Sequence, residues 1–211
     1  MDPLTRRGAF QLGGLGIASS AIGGFGLLRN GSGSSFPTTS GVALREPPVL
    51  RSAGGELKIT LEAREGRVQI GGKGATALSY NGSLPGPTLH LQPGDRLQVH
   101  LINQLTDPTN LHVHGLHVSP EGHGDTVLVA VPPGASFDYD YQLTADHPPG
   151  VYWYHPHHHG MVAEQVFGGL YGAIIVGEPP AAEGAVTATR ERVLVISDTS
   201  LDSAGHVPPA G

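Results

Sequence analysis

The sequence predicts an all-β protein built as a Greek-key β-sandwich. Glycine and proline are abundant, with 32 and 18 residues respectively among 211, and both residues mark turns. Short runs of apolar residues alternate with polar ones, which is the period of a half-buried strand. No stretch after Leu28 has a convincing helical period. Because 38% of the residues are apolar, the chain has enough material for a hydrophobic core.

The predicted strands begin at Glu56. In ELKITLEA (56–63) apolar residues alternate with polar neighbours, and GRVQIGG (66–72) has the same alternation. The segment 88–104 predicts two strands joined by a turn at QPGD (92–95). Further strands are predicted at 110–118, 136–143, 150–157 and 169–176. About eight short strands separated by glycine and proline turns are typical of a Greek-key sandwich.

The composition divides the chain into four parts. Residues 1–44 are predicted to be an export signal and a flexible tether, and 45–178 the first β-domain. Residues 179–189 read as a Pro- and Ala-rich linker. The segment 190–211 begins with the strand-like RERVLVISD, but about 40 residues are needed before a chain buries enough surface alone. We therefore expect 190–211 to be the start of a second, incomplete domain, and the sequence to be cut off within it.

The N-terminal segment predicts export. Arg6 and Arg7 precede a weakly apolar, Gly-rich stretch at 12–28, which is shorter than the ~20 apolar residues of a membrane helix. This arrangement resembles a twin-arginine signal. An uncleaved membrane anchor is the alternative. Both interpretations place the functional part outside the cytoplasm, as a periplasmic or secreted protein.

Charge and cysteine content exclude several classes of function. A net charge of −6 argues against nucleic acid or an acidic membrane as the main partner. Since the chain has no cysteine, disulfides, thiolate ligands and thiol nucleophiles are all excluded. The 12 histidines are the compositional outlier. Any metal site must therefore consist of imidazole, alone or with oxygen ligands.

Two H-x-H segments are the candidate metal ligands. His112 and His114 form the first pair, and His155 and His157 form the second. Residues i and i+2 of a strand point to the same face, about 6.5–7 Å apart. Two such pairs on neighbouring strands would direct four imidazoles into one space, at a spacing that suits two or more metal ions. Imidazole alone leaves zinc, copper, iron and nickel open.

Three motifs in order carry a family resemblance: YNGSLPGPT (80–88), HVHG (112–115) and WYHPH (153–157). Together they resemble the first domain of a multicopper oxidase, a family of cupredoxin fold that includes the laccases. The resemblance covers roughly 45–200 and implies that the first β-domain is cupredoxin-like.

The resemblance implies a role for each candidate residue. His112 would bind the type-2 copper, His114 and His155 one copper of the type-3 pair, and His157 the other. Asp125 would be a catalytic residue that passes protons to the oxygen site. His117 and His123 match no ligand position, and His158 and His159 fall where the family varies and are not counted as ligands.

The resemblance also implies the reaction and its partners. The family couples one-electron oxidation of a donor, a small molecule or a metal ion, to the reduction of O2 to water. Its copper cluster uses eight histidines, of which this chain offers four, and its type-1 copper needs a cysteine that this chain lacks. We therefore expect the remaining cupredoxin domains, or another chain, to complete the site.

Two other functions remain open from the sequence. One is an exported copper-binding or storage module without turnover, and the other is a zinc-dependent hydrolase. The aromatic residues Tyr152, Trp153 and Tyr154 either wall the imidazoles against water or belong to the sandwich core.

Overall fold

A computed structural model describes residues 45–177 and 191–210. These residues form nine strands and one short helix. The elements are β1 (Val49–Arg51), β2 (Glu56–Ile70), β3 (Lys73–Tyr80), β4 (Thr88–Leu91), β5 (Arg96–Asn103), β6 (His112–His114), β7 (Ser136–Gln142), β8 (Gly150–His155), α1 (Val162–Gly168) and β9 (Gly172–Val176). The predicted all-β class is confirmed.

The strands form two mixed sheets that pack face to face. One has five strands in the order β1-β4-β9-β8-β6, and the other has four in the order β3-β2-β5-β7. Leucine, valine, isoleucine and tyrosine side chains from both sheets fill one shared core. Leu61 and Leu101 of the four-stranded sheet and Tyr154 and Ile174 of the five-stranded sheet are fully buried within it. The predicted β-sandwich is therefore confirmed.

Strand β2 is longer than the sequence predicts, since the segments expected as two strands form one of 15 residues. Its pairing with β3 is unbroken from Ala63 to Ile70. Leu57 and Leu61 face the main core, whereas Val68 is an odd number of residues away from them and is buried on the opposite face of the sheet. There Val68 joins a second small cluster that Leu201 packs against.

Several other elements differ from the predictions. Helix α1 was not predicted, because seven residues are too few to display a helical period. Strands β1 and β3 were not predicted either. The strand expected at 110–118 is confined to β6, and the one expected at 169–176 begins only at Gly172.

The strand predicted at the start of 190–198 is wrong for the described residues, since 191–198 contain no strand. A strand needs a hydrogen-bonded neighbour, and apolar alternation alone does not supply one. The segment is held instead by side chains: Arg192 pairs with Glu46 at 2.9 Å, and the Tyr171 and Ser197 hydroxyls lie 2.6 Å apart.

The predicted signal and tether (1–44) and the linker (179–189) lie outside the described residues. Within the part of the chain that the structure describes, no helix is both long and apolar enough to cross a membrane.

Candidate metal centre

The four histidines of the H-x-H segments come together where β6 pairs with β8. In this antiparallel pair His112 lies opposite His155, and His114 lies opposite Trp153. The His112 ring centroid is 5.4 Å from that of His114, 5.2 Å from His155 and 5.3 Å from His157. The sequence correctly predicted that these side chains would share one space, and their role as metal ligands stays a prediction.

The cluster lies on the outer face of the five-stranded sheet. Val113 lies between the two histidines of β6, and Tyr154 directly precedes His155 in β8. Both side chains are buried in the sandwich core. Because neighbouring residues of a strand point to opposite faces, the imidazoles of His112, His114 and His155 point away from that core. Strand β6 is also the last strand of its sheet. The candidate ligands are therefore presented at a sheet edge.

Three of the histidines are close enough to hold one metal ion. One ring nitrogen from each of His112, His114 and His155 lies within 4.8 Å of the others. The Nδ1 atom of His114 is 3.3 Å from the Nε2 atom of His155. Two nitrogens at this separation can both bind one ion with bonds of about 2.0–2.1 Å, the length of zinc–imidazole bonds. His157 is not part of this group of three, and its ring centroid lies 5.3 Å from that of His112 and 6.0 Å from that of His155.

His155 is held as a neutral imidazole with one ring nitrogen free. Its Nδ1–H donates to the Pro156 carbonyl oxygen at 2.8 Å, which leaves the Nε2 lone pair facing the cluster. The His155 pKa is lowered to about 4, mainly by burial and also by the nearby imidazoles of the cluster, against the opposing effect of the hydrogen bond to the Pro156 carbonyl. At neutral pH this side chain therefore competes for a metal ion without first losing a proton.

Asp125 orients His112. Its carboxylate lies 2.9 and 3.1 Å from the His112 Nδ1 atom and accepts a 3.0 Å bond from the Val113 backbone N–H. The carboxylate is 14% exposed. A carboxylate on one imidazole nitrogen fixes the tautomer and leaves the other nitrogen free for a metal. The family resemblance assigns Asp125 to proton transfer, and that role stays a prediction.

Trp153 is the aromatic residue that touches the candidate ligands. Its ring stacks on His155 with centroids 3.9 Å apart and on His114 at 5.1 Å. Tyr154 points the other way, and its hydroxyl donates to the Pro87 carbonyl oxygen at 2.7 Å. Burial raises the pKa of Tyr154. Trp153 therefore covers the imidazoles, which was one of the two interpretations of the aromatic residues, whereas Tyr154 belongs to the sandwich core, which was the other.

An apolar cavity of about 790 Å³ adjoins the cluster. Its walls include Trp153 and His155 from β8, Phe167 from α1, and Leu194 and Ile196 from the segment after the linker. Ile196 is 94% exposed. Trp153 and His155 therefore belong both to the surroundings of the histidine cluster and to the wall of an apolar surface depression.

His147 is a buried histidine with a structural role. Its Nδ1–H donates to the Pro148 carbonyl oxygen, and its Nε2 accepts the His117 backbone N–H, both at 3.0 Å. Both ring nitrogens are thus used within the fold. His123 stacks on Phe137, away from the cluster.

Two buried polar residues near the cluster were not predicted. Asn110 bonds the backbone of His157, and Gln165 of α1 bonds Thr109 and the Pro108 carbonyl. Asn110 stands two residues before His112, and that proximity is the only signal the sequence offers for it. No motif marks Gln165.

Comparison with known proteins places this geometry in a family. A family model described as multicopper oxidase matches residues 62–181, more than half of the chain. The multicopper oxidase MmcO of Mycobacterium tuberculosis is 32% identical over 173 residues, which are 79% of this chain and 32% of that protein. Copper resistance protein A of Pseudomonas syringae pv. tomato is 32% identical over 178 residues, which are 83% of this chain and 26% of that protein.

A solved structure agrees. The multicopper oxidase of Campylobacter jejuni, described as a metallo-oxidase, matches with a TM-score of 0.56 at 32% identity, over 64% of this chain and 29% of that one. The cupredoxin-like fold is thereby confirmed. The chain spans about a third or less of the length of these relatives. With a family model that covers more than half of it, the chain belongs to the multicopper oxidase family.

Proposed function

We propose that this chain is the copper-binding N-terminal portion of a multicopper oxidase. The oxidase couples one-electron oxidation of a donor to the reduction of O2 to water, and this chain supplies half of the trinuclear site. The observation that carries the proposal is the group of three imidazole nitrogens within 4.8 Å, with His157 beside it, in a chain of this family. An all-nitrogen site suits copper.

In this proposal His112 is a ligand of the type-2 copper. His114 and His155 bind one type-3 copper, a pairing that the 3.3 Å separation of their nitrogens supports. His157 binds the other type-3 copper, in keeping with its position outside the group of three. When bound, the copper ions supply the electron transfer and the oxygen chemistry.

The chain's own residues prepare that site. The Asp125 carboxylate holds His112 in the tautomer whose Nε2 is free, and the same carboxylate is the candidate to pass protons toward the oxygen site. The lowered pKa of His155 keeps its imidazole neutral. The indole of Trp153 covers the His155 ring and excludes water from that side.

The remaining cupredoxin domains, or another chain, supply the other ligands. The apolar cavity and the exposed side chains of Leu194, at 64%, and Ile196 support a protein partner next to the cluster. The electron donor is a small molecule or a metal ion. The paired Arg6 and Arg7 support export to the periplasm or beyond the cell.

Copper uptake by the 1–211 chain tests the ligand set. We expect bound copper in the wild-type chain and its loss in His112→Ala and His155→Ala. The control is His100→Ala, which removes an exposed histidine that pairs with Asp138 away from the cluster. Unchanged copper uptake in both cluster variants would contradict the proposal.

An exported copper-binding module without turnover is the second candidate. The observation in its favour is that the group of three nitrogens lies within one chain. Oxygen consumption with a phenolic donor separates the two functions, measured after the copper-loaded chain is combined with the rest of the oxidase. Tight copper binding without any oxygen consumption in that mixture would support storage.

A further inference from the structure

We propose that Asn110 is a positioning residue that sets the place of His157 relative to the other three imidazoles. The inference rests on the proposed copper site and adds a residue to it. Asn110 is fully buried, and its Oδ1 accepts the His157 backbone N–H at 2.6 Å. Its Nδ2 donates to the carbonyl oxygens of Val127 and Val129, both at 3.1 Å.

The main-chain ladder does not hold His157. Strands β6 and β8 pair His114 with Trp153 and His112 with His155. The residue that follows β8 is Pro156. Proline has no N–H to donate, so the ladder ends there. Continued by two residues, the same register would place residue 110 opposite residue 157.

The Asn110 side chain takes the place of that missing ladder bond. An amide has one carbonyl oxygen and two N–H donors, so it can bond three partners at once. Here the partners are the backbone beyond β8 and two carbonyls of the loop after Asp125. An aspartate at 110 would keep the acceptor and lose both donors, and an alanine would lose all three bonds.

Asp125 and Asn110 hold the same loop at two points. Asp125 bonds Val113 and His112, while Asn110 bonds Val127 and Val129 further along. The loop thus joins a ligand of one H-x-H pair to the backbone of the other pair. Asn110 therefore acts on the candidate ligands through position and touches no metal itself.

The matched control is Asn103, a second fully buried asparagine with the same bonding pattern. Its Nδ2 donates to the carbonyls of Asp107 and Val131 at 2.9 and 2.8 Å, and its Oδ1 accepts the Leu105 N–H at 2.9 Å. None of its bonds reaches a candidate ligand. Asn103→Ala and Asn110→Ala therefore lose equivalent hydrogen bonds, and only the second releases His157.

The first measurement is Cu(II) affinity, by competition with a chelator, together with the electron paramagnetic resonance spectrum of the bound Cu(II). We expect Asn110→Ala to bind Cu(II) on the order of tenfold more weakly than Asn103→Ala, with an altered spectrum, because partners behind metal ligands typically contribute 10–100-fold. Equal affinities and equal spectra for the two variants would overturn the inference.

The second measurement needs no metal. Hydrogen exchange of the His157 amide should be slow in the wild type and in Asn103→Ala, and fast in Asn110→Ala. If the wild type binds no copper, the proposed function fails, and this exchange pattern still decides whether Asn110 holds His157. Fast exchange of the His157 amide in the wild type would overturn the inference.

A variant that keeps the acceptor separates the contact with His157 from the contacts with the loop. Asn110→Asp retains the oxygen that accepts the His157 N–H and loses the bonds to the loop. We expect slow exchange of the His157 amide and no weakening of Cu(II) binding, with a lower resistance to urea. A tenfold loss of affinity in Asn110→Asp would show that the contact with His157 is not what matters.

Discussion

The Asp125→Asn substitution keeps the shape of the side chain at 125 and changes which ring nitrogen of His112 carries the proton. The carboxylate accepts from both the His112 Nδ1–H and the Val113 N–H. An asparagine amide has one acceptor. If its oxygen faces Val113, its NH2 group takes the place of Oδ2, the carboxylate oxygen nearer to His112 Nδ1, and favours the tautomer with the proton on Nε2. The nitrogen that should bind the metal is then protonated.

The magnitude follows from these contacts. Hydrogen bonds to a charged group contribute about 1.5–3 kcal/mol each, and the amide keeps only the bond to Val113 at a weaker, neutral strength. We therefore expect the free energy of unfolding of the metal-free chain to fall by about 1–3 kcal/mol. For the metal-bound chain, the loss of a carboxylate behind a ligand lowers affinity about 10–100-fold.

Urea unfolding of the metal-free chain and chelator competition for Cu(II) measure the two effects. Asp138→Asn is the control, because Asp138 also bonds a histidine, His100, but its side chain is 76% exposed. An exposed pair of this kind contributes only about 0–1 kcal/mol. If Asp125→Asn bound Cu(II) as tightly as Asp138→Asn, the assignment of Asp125 to the orientation of His112 would be refuted.

Three further predictions concern the same sheet. Trp153 is the one tryptophan of the chain and stacks on His155, so Cu(II) should quench its fluorescence, and His155→Ala should abolish the quenching. The His155 pKa is about 4 in the folded chain and about 6.5 when the chain is unfolded. Between these two pH values only the unfolded chain gains the proton, so the metal-free chain should lose stability to urea as the pH falls from about 6.5 to 4. A flat stability profile over this pH range would contradict the burial of this imidazole. A Cβ at Gly172 would overlap the ring of Tyr154, whereas one at Gly66 meets nothing within 4 Å. Gly172→Ala should therefore lower the free energy of unfolding by about 1–3 kcal/mol, and with it the melting temperature, whereas Gly66→Ala should leave the melting temperature unchanged.

The sequence predicted most of the strands because their alternation reports which face is buried. It did not predict that β2 continues through both of its segments, since Leu61 and Val68 face different clusters and the change of parity reads as a break. The extended segment around Leu194 was predicted as a strand on its apolar residues. Pairing depends on a neighbouring strand, which no local pattern reveals.

In the site, too, the local features could be predicted from the sequence and the contacts between distant residues could not. The spacing of His112 and His114, and of His155 and His157, is local and predicts which side chains share a face. The bonds that orient those side chains are not local: Asn110 meets residue 157 across 47 positions of sequence. Such contacts depend on the register of β6 with β8, which the sequence does not encode in any short motif.

The outward-facing position of the cluster has a consequence for maturation. The sandwich core lies on the inner faces of β6 and β8, where Val113 and Tyr154 are buried on the opposite side of the sheet from the histidine cluster. We therefore expect the domain to fold before it binds a metal ion, in contrast to small zinc domains that stay unfolded until the ion arrives. The metal supply would then set how much of the site is occupied, without limiting the amount of folded protein.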